Sequence, residues 1–382
     1  MRKLILFLYL ILLGNNGFAQ EPKKLKFFNI DLHIAVISDV KYIFEELGHE
    51  VETNSISNQA WLLDKNKTEI KIISQKNWKN LDDELIEKFY HEYKDYLNQF
   101  DGFIVTHAAS LALLYEKFNK PIIIVNSTRY SNNLIIENKL ILEKLNKFLK
   151  AGVGKNKIFI VSNNKGDQHY LKYHTGLDSE FIPSLCLYTK AKYRGINPGF
   201  IAKDRVNIDF NILFENKNLI TKIDQGYKWQ ELYDYKGVVH FPYQISTMSL
   251  YEQYSANVPL FFPSKSFLID LHYIYPRKIL SELSFYQVKR KIPRLDKDNP
   301  DNYFNKEIIK QWIDYADFYD PGNMPYIQYF NNFAELEYLL EHSDLKQISI
   351  QMEEYNKIRK KRVFRQWKAI LDKLAKNFQK NQ

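Results

Sequence analysis

Apolar and polar positions fall in short blocks along this chain, and the block lengths predict its elements. Lys26-Phe-Phe-Asn-Ile-Asp-Leu-His33 is mostly apolar and ends polar, as a strand leaving a sheet does. Ile34, Ile37, Val40, Ile43, Phe44 and Leu47 then recur at helical spacing until Gly48 stops the helix. A second extended segment begins at Val51, and residues 81–100 are again helically periodic. Asp101-Gly-Phe-Ile-Val-Thr-His107 and Pro121-Ile-Ile-Ile-Val-Asn126 read as buried strands, with a helix at 108–118 between them. A helix at 134–151 and a strand at 157–163 come after these. Continuous apolar strands alternating with helices predict a parallel sheet covered on both faces. The pattern breaks near residues 188–205, where Gly195, Pro198 and Gly199 mark a link between domains. Beyond it a strand is predicted at 211–215, a helix at 229–235 and a strand at 237–241. A Ser-rich loop with a short helix and a strand at 258–262 come next. Residues 285–302 read as a surface loop, 333–340 as a short helix, and the chain from about 345 onward as a long basic amphipathic helix.

The 382 residues suffice for two domains with substantial cores, and 45% apolar content indicates a globular chain. The expected division is an N-terminal α/β domain over 20–190, a second α/β domain over 191–340 and the C-terminal helix over 341–382. A net charge of +9 permits attraction to phosphates or to an anionic membrane surface. The densest basic run, Lys357 to Arg365, reads as the solvated face of the last helix, which offers peripheral membrane contact. With no zinc finger, RNA-recognition signature or repeat, no nucleic-acid partner is expected. Cys186 stands alone, which excludes an intramolecular disulfide and a cysteine metal cluster. Arg2-Lys3, the apolar run from Leu4 to Leu13 and the small residues up to Ala19 have the form of a signal peptide over 1–19. That predicts the secretory pathway or periplasm, or a membrane anchor if the leader is uncleaved.

Open α/β sheets bind ligands beyond the carboxyl ends of their strands. In this chain those ends carry Asp31 and His33, Thr106 and His107, Asn126 to Arg129, and His240. His33 has the near-neutral pKa of a general base, and Asp31 is close enough to orient it; a helix-capping Asp and a structural His fit the same residues. His107 before Ala108-Ala109-Ser110 would let a ligand approach the next helix, or simply end a strand. Arg129 suits a phosphate or acidic sugar, and equally a salt bridge. Ser246, Thr247 and Ser249 stand where a helix begins, with Glu252 three residues after Ser249. Free N–H groups there favour an anion, although Ser249 with Glu252 is also a capping box. Asp314, Asp317 and Asp320 have helical spacing and read as a solvated acidic face rather than a metal site. Dinucleotide, phosphate-loop, zinc-protease and serine-hydrolase motifs are all missing.

The segments "IDLH…VISDVKYIFEELGHEV", "FDGFIVTH", "PIIIVNSTRY" and "YKGVVHFPYQISTMSLYEQYSANVPLFFPS" resemble GT-B-type glycosyltransferases, including a glycosyltransferase-like group from bacteria and large viruses. The resemblance spans most of residues 26–265 and implies an α/β fold of two Rossmann-like domains facing a cleft. By it, Glu252 would bond the donor ribose, Ser246, Thr247 and Ser249 would meet the pyrophosphate beside His240, and His33 would lie in the acceptor half with His107, Asn126 and Arg129. It implies transfer of a sugar from a nucleotide-sugar donor to a hydroxyl of a glycan or lipid, with no metal cofactor. The chain departs from the pattern in having no acidic residue between His240 and Ser249 and no glycine-rich turn after the first strand. The alternative is a secreted two-domain protein that clamps a small ligand by hinge closure without catalysis.

Overall fold

The computed structural model describes residues 23–57, 63, 70–132, 138–203, 205, 206, 208–222, 226–283, 295–302 and 305–380; the leader expected at 1–19 lies outside them. Its first sheet has six parallel strands: β1 (Lys26–Asp31), β2 (Glu50–Ser55), β3 (Gly102–Thr106), β4 (Ile122–Asn126), β5 (Ile158–Ser162) and β6 (Glu180–Phe181). Their order is β2-β1-β3-β4-β5-β6. Every residue of β3 and β4 is buried, as expected of strands covered on both faces. The covering helices are α1 (Ile34–Glu46), α2 (Asp83–Leu97), α3 (Lys139–Gly154) and α4 (Lys165–Thr175). Residues Ala109–Phe118, expected as α-helix, wind as a 3₁₀ helix instead. The segment is buried nearly all round, Tyr115 stacks flat on Phe103, and left-handed Asn119 ends it. Packing rather than helical periodicity sets its winding.

The second sheet has five parallel strands: β7 (Phe200–Lys203), β8 (Ile220–Lys222), β9 (Val238–His240), β10 (Leu260–Pro263) and β11 (Gln328–Phe330), in the order β11-β10-β9-β7-β8. Counted from its own first strand, this sheet is wound as the first one is, with its second strand outside the first and the others on the opposite side. The strand expected at 211–215 is not there. Residues Phe210–Leu213 form a one-turn helix, α5, capped by the Asp209 side chain. Phe210 and Phe214 face inward one helical turn apart while Ile212 and Leu213 face solvent, which is the spacing of a helix and not of a strand. The first strand of the sheet is β7, inside the stretch that reads as a link. Around the sheet lie α6 (Trp229–Tyr233), α7 (Met248–Ser255), α8 (Lys265–Ile274), α9 (Lys306–Asp314) and α10 (Phe333–His342).

The last helix, α11 (Leu345–Lys380), ties both lobes together. Trp367 packs edge-on against Phe44 of α1, and Gln366 Nε2 donates to the Phe181 carbonyl at 3.0 Å. Arg359 is wholly buried at the joint. Its guanidinium donates to Asn323 Oδ1 and Ser255 Oγ, each at 3.1 Å, and to the Ser184 carbonyl, and it sits against the rings of Tyr251 and Tyr254. Nearby, Asp39 of α1 accepts from the amides of Leu185 (3.1 Å) and Cys186 (2.6 Å). Tyr251 Oη lies 2.8 Å from the Asn163 carbonyl and 2.6 Å from Asp317 Oδ2, so α7 bonds to the first lobe. Asp317, expected on a solvated acidic face with Asp314 and Asp320, is buried. Helix α9 ends at Asp314, and the 3₁₀ turn Asp317–Tyr319 swings the carboxyl inward. Burial pushes its pKa up to about 7, with hydrogen bonds from Ser246 and Tyr251 opposing. When protonated it donates to Tyr251 Oη, freeing that hydroxyl to donate to Asn163.

Candidate functional site

Each sheet has a switch point, where its first and third strands lie side by side and the connections depart to opposite sides. In the second sheet this lies between β7 and β9, and a cavity of about 230 Å³ opens there. Lys203 ends β7 and His240 ends β9, while Phe262 of β10 and Phe318 close it with aromatic surface. Thr247 and Ser249 contribute the hydroxyls of the α7 start, and Arg205, Tyr227 and Tyr243 come from the flanking loops.

The local sequence explains these placements. Thr247, two residues before the expected Ser249, is the N-cap of α7: its backbone is extended and its Oγ1 accepts from the Leu250 amide at 3.3 Å. Ser249 Oγ lies 3.3 Å from Thr247 Oγ1, so both hydroxyls stand at the positive end of the helix. Lys203 Nζ donates to Tyr227 Oη at 2.7 Å. The Arg205 guanidinium lies 3.4 Å from the centre of the Tyr243 ring, with Glu282 at 3.8 Å. The cavity therefore combines two cations, two hydroxyls and a helix start with aromatic walls, which suits an anion joined to a planar ring. His240 is buried with its ring flat on Phe262, centroids 4.5 Å apart, and its Nε2 is 2.7 Å from Gln253 Oε1. Burial, reinforced by the Lys203 charge, pushes its pKa down to about 3. It is a neutral wall of the cavity at physiological pH.

Two residues expected here face elsewhere. Ser246 turns inward to Asp317 and Tyr251. Glu252 does not line the cavity: Tyr188 Oη donates to its Oε1 at 2.6 Å and Trp229 Nε1 to its Oε2 at 3.1 Å. Burial raises its pKa, against those two hydrogen bonds and the Lys203 charge. Its position on α7, one turn past the hydroxyls, aims it at these aromatic donors.

The switch point of the first sheet, between β1 and β3, holds a histidine pair. His33 is the extended N-cap of α1 and its carbonyl accepts the Val36 amide at 3.0 Å. Its ring faces that of His107, centroids 5.2 Å apart. His107 has a left-handed backbone (φ 60°), uncommon for a residue with a side chain and a mark of local constraint. Burial pushes the His107 pKa down to about 3, with the neighbouring His33 adding to it, and burial lowers that of His33 as well. Asp31 closes β1, and its side chain lies outside what is described. Asn126 and Arg129 are interior groups rather than walls of an open cleft. Asn126 Nδ2 donates to Ser162 Oγ (3.1 Å) and the Asp167 carbonyl (3.0 Å), and Arg129 lies over the Trp312 ring at 4.9 Å, where its charge acts on Asp167.

Thus His240, Thr247 and Ser249 meet around one cavity whose walls come from residues 202–318, and neither His33 nor His107 is among them. The sequence pattern does not single out Lys203 and Arg205. The available signal is Gly199-Phe-Ile-Ala-Lys203, an apolar run ending in a cation, hidden in a segment that reads as a linker. Among the described residues no group of three or more His, Cys, Asp or Glu side chains is placed to hold a metal ion.

No family model matches the chain, and no curated protein matches it in sequence. Solved structures that it resembles include the glycotransferase of kitacinnamycin, at 9% identity and a TM-score of 0.43 over 88% of this chain and 96% of that one. The glycosyltransferase SnogD from Streptomyces nogalater gives 8% and 0.41 over 88% and 96%. The S. aureus MnaA–UDP co-structure gives 13% and 0.39 over 63% and 80%. Likeness of this looseness argues for no activity; the case for one lies in the cavity.

Proposed function

We propose that the protein transfers a sugar from a nucleoside-diphosphate donor to a hydroxyl acceptor, a glycan or a lipid. The observation that carries this reading is the cavity at the second switch point, where Lys203 and Arg205 face the hydroxylated start of α7. In this reading the donor diphosphate lies against Thr247, Ser249 and the α7 amides, and the base rests among the aromatic walls. As the bond from the anomeric carbon to the diphosphate oxygen breaks, negative charge grows on the departing diphosphate. The cations and the helix dipole stabilise that charge without a metal ion. The acceptor oxygen bonds to the anomeric carbon and gives up its proton. His33, half-buried at the carboxyl end of the first sheet, is the proposed acceptor of that proton.

A hinged binding protein is the weaker reading, because the wholly buried Arg359 and the Tyr251–Asn163 bond lock the lobes together. Thermal-shift measurement with nucleoside diphosphates, free sugars and amino acids separates the two. The transferase reading expects stabilisation by UDP or GDP, lost in Lys203→Met. Stabilisation by free sugars or amino acids alone would replace it with the binding protein.

A further inference from the structure

The last two residues of α8 and the four that follow form an exposed knuckle, Tyr273-Ile-Tyr-Pro-Arg-Lys278. Tyr273 is 51% and Ile274 62% exposed, an unusual concentration of apolar surface at one turn. The turn is not a fraying end. His272, Ile279 and Leu280 on either side are buried, the His272 ring meets the Ile279 carbonyl at 2.9 Å, and the Ile279 amide donates to Tyr275 at 2.9 Å. The knuckle is spliced to the cavity wall: the Leu280 amide donates to the Pro242 carbonyl (2.9 Å) and the Glu282 amide to that of Tyr243 (3.2 Å). Arg277 and Lys278 stand on the knuckle, and Lys306 of α9 approaches the Tyr273 ring at 6.0 Å. Among the described residues close to it in the chain, Asp270 and Glu282 are acidic, Glu282 lying 3.8 Å from Arg205, and Glu307 beside Lys306 is paired with Lys310 at 2.9 Å.

Tyrosines and an isoleucine framed by cations match the boundary between lipid headgroups and acyl chains. We propose that this knuckle docks on an anionic lipid surface and turns the mouth of the cavity toward it. The acceptor is then a membrane-borne hydroxyl compound, a clause that rests on the glycosyl-transfer reading. The basic run of α11 fits a membrane less well. Its exposed face carries a single apolar residue of comparable exposure, Ile358, its Lys357 is paired within the helix with Glu353, and just beyond it Lys368 is paired with Asp372.

The full chain tests this directly. An environment-sensitive dye is attached at Ile274→Cys or, as control, at Ile358→Cys; Cys186 is buried and leaves the background low. Both proteins are mixed with phosphatidylcholine vesicles, with and without about one third phosphatidylglycerol. The expected result is a blue shift at position 274 with anionic vesicles only, none at 358, and a loss of vesicle affinity of about tenfold or more when Arg277→Glu and Lys278→Glu are added. No shift at 274, a shift at 358 alone, or indifference to the charge reversal would overturn the proposal. Because a leader would be common to all variants, it cannot produce the difference between them. Nucleotide binding, followed separately, keeps the two readings apart: vesicle docking without it removes only the acceptor clause, and nucleotide binding without docking removes only the knuckle.

Discussion

At the carboxyl end of the first sheet, β1 and β3 run out beside two histidines; at the same place in the second, β7 and β9 run out into a cavity with a lysine, an arginine and two hydroxyls. The winding is the same, so topology supplies two equivalent places for a ligand. The segment after each strand makes them different. Beside His107 the chain enters a buried 3₁₀ helix at Ala109–Phe118, and burial keeps the imidazole neutral. Beside His240 it enters a polar loop capped by Thr247, so a helix start faces open space with cations across from it. One end suits an uncharged group, the other an anion.

The largest effect is expected where the two ends are held together. Arg359→Ala removes the buried cation among Asp39, Asp317 and four hydrogen-bond acceptors, and urea unfolding should show a loss of about 3–5 kcal/mol. A loss below about 1 kcal/mol would mean that the lobes do not depend on this joint. Next comes the contrast itself. Lys203→Met should weaken nucleoside-diphosphate binding by calorimetry about tenfold to a hundredfold, the worth of hydrogen bonds to a charged group. His33→Ala should leave that affinity unchanged and cut turnover; equal loss of both would remove His33 from the chemistry.

The smallest effect is a slope in pH. Asp317 has a folded pKa of about 7 against 3.8 when free, so its contribution to stability is complete below 3.8 and is lost as pH rises through 7. His107 and His240, lowered from 6.5 to about 3, work the other way and reduce stability as pH falls below 6.5. The carboxyl is therefore read by difference: as pH rises from about 4 to 7 the melting temperature of the wild type should fall relative to that of Asp317→Asn, whose amide can donate to Tyr251. Parallel curves would place the titration elsewhere.

The contrast also shows how far sequence patterns reach. Strands β3, β4 and β5 are legible because apolar residues run unbroken between clear helices. Strand β7 is not: four residues behind Pro198-Gly199 resemble a linker, and only pairing with β8 and β9 makes them a strand. Asn211-Ile-Leu-Phe214 looks like a strand because a short apolar run has no readable period; Phe210 and Phe214 anchor it as a helix. Thr247 and Ser249 can be found from hydroxyls before an apolar helix. Which hydroxyl faces the cavity cannot, because Ser246 is drawn inward by Asp317, seventy-one residues away in the chain. Glu252 likewise is engaged by Tyr188 and Trp229, partners that only the tertiary fold brings near.

The most direct test is a crystal structure of the protein with UDP or GDP bound. The diphosphate should lie at the start of α7, within hydrogen-bond reach of Thr247 or Ser249 and facing Lys203. A nucleotide seated instead against His33 and His107, or a cavity still empty at saturating nucleotide, would contradict the assignment of the second switch point as the anion site.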